Sequence, residues 1–159
     1  MSEDDRGNAD NPGVIAPPPL IYAGALIAGL LANRRFRIPF LPRPLARTLG
    51  PSLVVGGLAI GLLGSREMLR AETNLDPRKP ANTLVTDGAF RFTRNPLYLS
   101  MIMIYGGISA FANALPPVLL LPIVQHLMRR GVIEREESYL ERKFGDDYLQ
   151  YKTRVPRWI

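Results

Sequence analysis

The sequence contains no cysteine and a single histidine, His126. Without thiols there are no disulfides, no thiolate nucleophile and no cysteine-based metal site, and the redox compartment is left undecided. With no histidine cluster either, neither a zinc nor an iron site is expected. Charge is missing over long stretches as well. No Asp, Glu, Lys or Arg occurs in residues 14–33, 48–65 or 95–128. The first of these runs is not expected to be a cleaved signal, because Glu3, Asp4 and Asp5 precede it where basic residues belong and three prolines interrupt it. What the runs do contain is apolar on all sides, whereas helices of soluble proteins carry a polar stripe.

A bilayer-spanning helix needs about 20 mostly apolar residues, with somewhat shorter ones tolerated. The third run has 34 residues and is broken at 113–117, "NALPP". It therefore reads as two short helices joined by a tight turn. The expected fold class is all-α: a polytopic membrane protein with about four transmembrane helices (roughly 18–33, 49–70, 96–112 and 116–130) and a C-terminal cytoplasmic helical segment over about 131–153. Residues 1–12 are polar and acidic and are expected to be a disordered tail. Residues 13–159 form a single domain. The competing reading is a soluble bundle of four buried helices.

Four spans put 15 of the 20 basic residues on one side and Arg34, Arg35, Arg37, Arg43 and Arg47 on the other. Basic loops stay cytoplasmic, so the richer side is expected to face the cytoplasm. The net charge of +6 is accounted for by topology and anionic lipid headgroups, and no nucleic acid partner is implied. The proline-rich first loop, "RRFRIPFLPRPLART", fits an irregular segment at the bilayer surface.

Two places look chemical. Asn95-Pro96 pairs a favoured N-cap with a favoured first helical residue. The third helix therefore starts there, its free N–H groups suited to an anion and Arg91 and Arg94 adding positive field. The simpler alternative is that Asn95 only caps and Arg94 only reaches headgroups. On a helical wheel of 133–144, Ile133, Leu140 and Phe144 share a stripe, with Glu137 inside it and Glu136 at its edge. An acid on an apolar stripe needs a partner, either an arginine or the polar group of a ligand. Gly145 is expected to end that helix. Tyr148, Tyr151 and Trp158 then either anchor at the interface or wall an aromatic pocket, with anchoring favoured for Trp158.

"TLVTDGAFRFTRNPLYLS", followed after a hydrophobic hairpin by "EREESYLERKFGDDYLQYKTRVPRWI", resembles the catalytic half of the integral membrane methyltransferases that include isoprenylcysteine carboxyl methyltransferases and phospholipid methyltransferases. The shared pattern is Arg-His/Asn-Pro-x-Tyr, a hairpin, Glu-Glu, Phe/Tyr-Gly-x-x-Tyr and Val-Pro-Arg, covering about 84–157. Asn95 stands where the carboxyl methyltransferases have His, and Ser100 where Gly is common. These departures bear on the substrate, not the cofactor.

The resemblance implies an S-adenosylmethionine-dependent enzyme that methylates a membrane lipid or other hydrophobic small molecule. It further implies the inner membrane of a prokaryote as location and a site on the cytoplasmic face. It puts the cofactor's carboxylate near Arg91, Arg94, Asn95 and Pro96. Its ammonium and ribose fall to Glu136 and Glu137, and its adenine to Phe144, Tyr148 and Tyr98. Glu137 and Tyr98 are the candidates for a catalytic base. Two competitors are a sterol-reductase-like enzyme using NADPH and a non-enzymatic four-helix membrane subunit.

Overall fold

A computed structural model describes residues 10–159. It is all-helical: α1 (Pro18–Phe36), α2 (Arg43–Arg70), a 3-10 turn (Gly88–Arg91), α3 (Pro96–Phe111), α4 (Leu115–Met128), a π-helical turn (Arg129–Ile133) and α5 (Glu134–Arg154). Each of the first four helices has proline in its first turn, where the missing N–H costs nothing and the fixed φ favours entry. The expected tail of residues 1–12 lies outside the described residues up to residue 9.

The four uncharged stretches are helices, as composition suggests, with shifted ends. α2 starts at Arg43 rather than 49. The terminal helix runs through Gly145, which adopts φ 51° and ψ −126° inside it, and resumes as far as Arg154. Gly145 thus interrupts the helix without ending it. Among the described residues, α2 is the one helix both long and apolar enough to cross a bilayer, and little of it is buried. Large apolar side chains project outward from the helices, among them Leu20, Ile27, Val55, Leu62, Phe111 and Leu119.

Helices α2 and α3 pack through small residues. Gly50 faces the backbone of Phe111, Gly57 and Gly61 face Ser100, and Gly64 faces Pro96. Gly107 answers from α3 against the carbonyl of Gly50. Such close backbone approach is the usual device for joining apolar helices. The glycines of "GGLAIGLLG" therefore serve packing within the chain. Gly29 does the same for α1 against α4, where an added Cβ would sit 2.5 Å from Cα of Pro117. Backbone cannot yield as a side chain does, so Gly29→Ala is expected to cost about 1–3 kcal/mol, read as a lowered thermal midpoint. Gly24→Ala, in open space on the same helix, serves as the control.

A core of Tyr22, Tyr98, Tyr105, Val124, Met128 and Ile133 fills the space between α1, α3 and α4. Tyr105 donates from its hydroxyl to the carbonyl of Pro117 at 2.7 Å, and Gln125 donates to the hydroxyl of Tyr22. Trp158 packs against this core, so anchoring at an interface is not its sole role.

Candidate functional site

The site forms where three separated pieces of chain meet: the entrance of α3, the first half of α5 and the segment just beyond α5. Three hydrogen bonds stitch the last of these to the first. Arg94 N–H donates to the carbonyl of Pro156 at 3.0 Å. The hydroxyl of Thr93 (2.7 Å) and the amide of Asn95 (3.3 Å) both donate to the carbonyl of Arg157. The Asn95 side chain makes no capping bond to α3. Its position at the helix start is as expected, but its amide works across the site.

Glu137 is buried, as its place on the apolar stripe requires, and two arginines hold it. Arg157 donates from Nε to Oε1 at 2.9 Å and from Nη2 to Oε2 at 2.7 Å, the two-pronged geometry that suits guanidinium and carboxylate. Arg94 approaches Oε1 from the other side at 3.1 Å, and its Nη1 also donates to the Tyr148 hydroxyl at 3.3 Å. The Glu137 carboxylate raises the affinity of Arg157 for its proton, chiefly through these hydrogen bonds. The Nε of Arg94 is buried with no acceptor among the described residues. A buried donor of this kind is costly unless something accepts from it.

Glu136 has a different environment. The Tyr98 hydroxyl donates to its Oε2 at 2.7 Å, and Oε1 makes no hydrogen bond among the described residues. Burial raises the Glu136 carboxyl above the ordinary glutamate range; the neighbouring Glu137 charge adds to this and the Tyr98 hydrogen bond opposes it. Burial likewise pushes the Tyr148 phenol up to about 12 and the Tyr151 phenol still higher, so both stay protonated, Tyr148 accepting from Arg94 and Tyr151 donating to the carbonyl of Phe90.

Two cavities adjoin at this point. The first, about 80 Å³ and partly open, lies between α5 and residues 73–85. The second, about 370 Å³, lies between the entrance of α3, Pro17–Pro19 and residues 74–78. The linings of both are mostly apolar. The second falls in the range typical of small-molecule sites, and the first is a narrower cleft beside it. Asn74, Asp76, Phe90, Arg94, Asn95 and Glu136 border both. Glu137 and Tyr148 line only the first, Pro96 and Tyr98 only the second.

Of the residues expected at a cofactor site, Arg94, Asn95, Glu136, Glu137 and Tyr148 are brought together, with Pro96 and Tyr98 on the far side of the partition. Arg91 is not part of it. That side chain is exposed, pairs with Asp87 at 3.1 Å and lines neither cavity. Phe144 packs with Tyr148, Tyr151 and Val155 behind the cavity wall.

Sequence reasoning missed Arg157, although the Val-Pro-Arg pattern contained it. It also missed residues 73–85, which read as a featureless polar segment. The local signal there was Asp76-Pro77-Arg78. Asp76 accepts from the backbone N–H and the guanidinium of Arg78, whose bonds hold its carboxyl at about 2.

The wall over the first cavity is fastened at the hydroxyl of Tyr139. That hydroxyl donates to Asp10 at 3.0 Å and accepts from the backbone N–H of Ala81 and from Lys143. Lys143 also pairs with Asp10 at 2.7 Å. Next along the chain, Arg135 donates to the carbonyl of Gly13, and Ile15 N–H donates to the carbonyl of Gly131 in the π-helical turn.

Residues 45–147 match the family model for phospholipid methyltransferase. Over 82 residues the chain is 33% identical to protein-S-isoprenylcysteine O-methyltransferase of Schizosaccharomyces pombe, covering 52% of this chain and 35% of that protein. Over 78 residues it is 31% identical to the cobalt-zinc-cadmium resistance protein CzcN of Cupriavidus metallidurans, covering 49% and 36%. A 27-residue stretch is 63% identical to an uncharacterized protein of Haemophilus influenzae, covering 17% and 43%. The chain thus spans well under half the length of these relatives. No solved structure matches it.

Proposed function

The chain belongs to the phospholipid methyltransferase family, and on that footing we propose that it transfers a methyl group from S-adenosylmethionine to a membrane-embedded lipid or other hydrophobic acceptor. The observation that carries this reading is the pair of adjoining cavities with Arg94, Asn95 and Glu136 in their common border. Both are lined mostly by apolar surface; the first also carries Thr73, Lys79, Glu137 and Tyr148 and suits a soluble nucleoside, and the second, with Pro17–Pro19, Leu97 and Met101, suits the acceptor. The outward-facing apolar side chains on all four helices support four membrane-crossing helices, since soluble monomers rarely expose large apolar patches. The charge asymmetry supports a site on the cytoplasmic face, in a membrane that we take to be the inner membrane of a prokaryote.

The residues present fit the cofactor. The unpartnered Nε–H of Arg94 suits a carboxylate, Glu136 carries a free acceptor oxygen, and Tyr148 with Leu140 supplies an apolar wall. When bound, S-adenosylmethionine supplies a methyl group on a positively charged sulfur, already activated for in-line displacement. What remains for the protein is alignment and exclusion of water, and positioning of this kind supplies several kcal/mol, up to about 7–11 in favourable cases.

An amine or hydroxyl acceptor also has a proton to lose. Both oxygens of Glu137 face guanidinium groups, which favours a positioning role: it holds Arg94 and Arg157. Glu136 offers a free Oε1 beside the second cavity, with Tyr98 donating to Oε2. The proton therefore passes to Oε1 of Glu136, and Tyr98 steadies the carboxylate.

The direct test is binding of radiolabelled S-adenosylmethionine and of NADPH to the purified chain, with mass spectrometry of lipids for a methyl gain. Binding of NADPH alone would sink the methyltransferase reading; binding of neither would favour a non-enzymatic subunit. A pH dependence follows from Glu136. As a base it works deprotonated, so the acid limb of kcat/KM should lie above the ordinary glutamate range. The same raised carboxyl contributes stability that is full below the unfolded glutamate value and is lost as pH rises through the folded one. A rate profile with no limb in that region removes Glu136 from proton transfer.

A further inference from the structure

The far end of the helices, away from the cavities, carries five arginines with no acid near them. α2 runs from Gly50 beside Phe111 to Gly64 beside Pro96, so its start, with the loop before it, meets the α3–α4 turn. Arg34, Arg35, Arg37, Arg43 and Arg47 sit at this end, all exposed. Residues 11–66 and 88–133, which supply every segment that meets here, contain no Asp or Glu. Outside residues 34–47 the remaining 15 basic residues are set against all 14 acids. Nearly the whole net charge of +6 is therefore concentrated in residues 34–47, the end of α1, the loop and the start of α2. None of the five forms an ion pair among the described residues; Arg35 lies over the ring of Phe36 at 5.7 Å.

The loop is also held in shape. The side-chain oxygen of Asn113 accepts from the N–H groups of Phe40 and Leu41 at 2.9 Å each, and its amide donates to the carbonyl of Leu41 at 2.7 Å. Leu115 N–H donates to the carbonyl of Ile38. Arg37 closes α1 with φ 40°, a left-handed conformation in which glycine or asparagine is cheaper. Phe36 and Ile38 are exposed between the arginines. Guanidinium forks carried around a held backbone and interleaved with apolar side chains match a phosphate layer above hydrocarbon.

We propose that this end is a binding platform for anionic phospholipid headgroups, in the leaflet opposite the cavities. It rests on the bilayer reading above and adds to it a lipid preference that has no part in catalysis. The five arginines hold lipid phosphates, and Phe36 and Ile38 enter the acyl boundary.

The test uses the full chain in mixed micelles of phosphatidylglycerol and phosphatidylcholine, with retained lipid read by native mass spectrometry. Wild type is expected to retain phosphatidylglycerol preferentially. Each basic residue near an anionic surface contributes a factor of roughly five, so R34Q/R35Q/R37Q/R43Q/R47Q should lower the preference by about tenfold or more. The wild-type preference should also fall when the Debye length drops from about 30 Å to about 3 Å. An unchanged preference in the variant, or one insensitive to salt, overturns the proposal. Displacement of the lipid by inorganic phosphate rules out a lipid as the specific occupant. Wild type that fails to float with phosphatidylglycerol vesicles overturns the bilayer reading and the platform together. Flotation with no lipid preference overturns the platform alone.

Discussion

Glu137→Ala is expected to destabilise the protein by about 3–5 kcal/mol, the usual result of removing one member of a buried ion pair. Arg94 and Glu137 are each 10% exposed at the side chain. Arg157 is 26% exposed, which points to the lower end of that range. The loss does not measure what the cluster contributes. It measures what two guanidinium groups suffer when their carboxylate is gone and little water can replace it. Glu137→Gln should fall between, keeping an acceptor oxygen while losing the charge. Replacing all three residues together, Glu137→Leu with Arg94→Met and Arg157→Met, should recover much of the stability, since buried ion clusters often exchange for apolar side chains at little cost. Cofactor binding should not recover, because the donors are gone with the charge. Unfolding midpoints and S-adenosylmethionine affinity measured on the same four proteins separate the two effects. An alanine variant that melts with the wild type would show that the cluster is not holding α5 to the entrance of α3.

The second large effect is kinetic. Glu136→Gln should lower methyl transfer by roughly 10²- to 10⁴-fold, the usual contribution of a positioned base. Cofactor affinity should change far less, because Glu136 is one of several groups lining the first cavity. Tyr98→Phe should be milder, about tenfold for the loss of a hydrogen bond to a charged group. It should also move the acid limb of the rate profile upward, since the Tyr98 hydrogen bond favours the ionised carboxylate. Both variants are read as kcat against KM, with cofactor binding as the control. A wild-type rate in Glu136→Gln would mean that the acceptor has no proton to give up, as a carboxylate has none, and would remove the base from the mechanism.

Much of the helical frame could be read from absent charge, because a chain without ions over 18 or more residues has few other ways to satisfy its backbone. The boundaries were harder. Arg43 and Arg47 count against a membrane helix, yet the proline before them sets its start and both point outward. Glu137 was legible as an acid in need of a partner, because a helical wheel reports which face a residue takes. The identity of the partner was not legible. Arg157 lies 20 residues further along the chain, and nothing local ties the two. Glu136, at the edge of the same stripe, meets a hydroxyl 38 residues earlier. Residues 73–85 were the least readable part. They have no period, and their shape comes from distant bonds, among them Ala81 to Tyr139 across 58 positions. A wheel drawn on one helix cannot contain such pairings.

The hydroxyl of Tyr139 has a consequence for assembly. It joins Asp10, 129 positions earlier, to Ala81 and Lys143. A ribosome emits these pieces at widely separated moments, so the roof of the first cavity has to wait until α5 is out. Contacts this distant in sequence also form slowly once the chain is free, since the entropy of closing so long a loop must be met before any contact rewards it. The hydrophobic helices can pair earlier, since all four precede α5 in the chain. The newborn chain should therefore pass through a stage with its bundle built and its chamber unroofed, and Tyr139→Phe should prolong that stage.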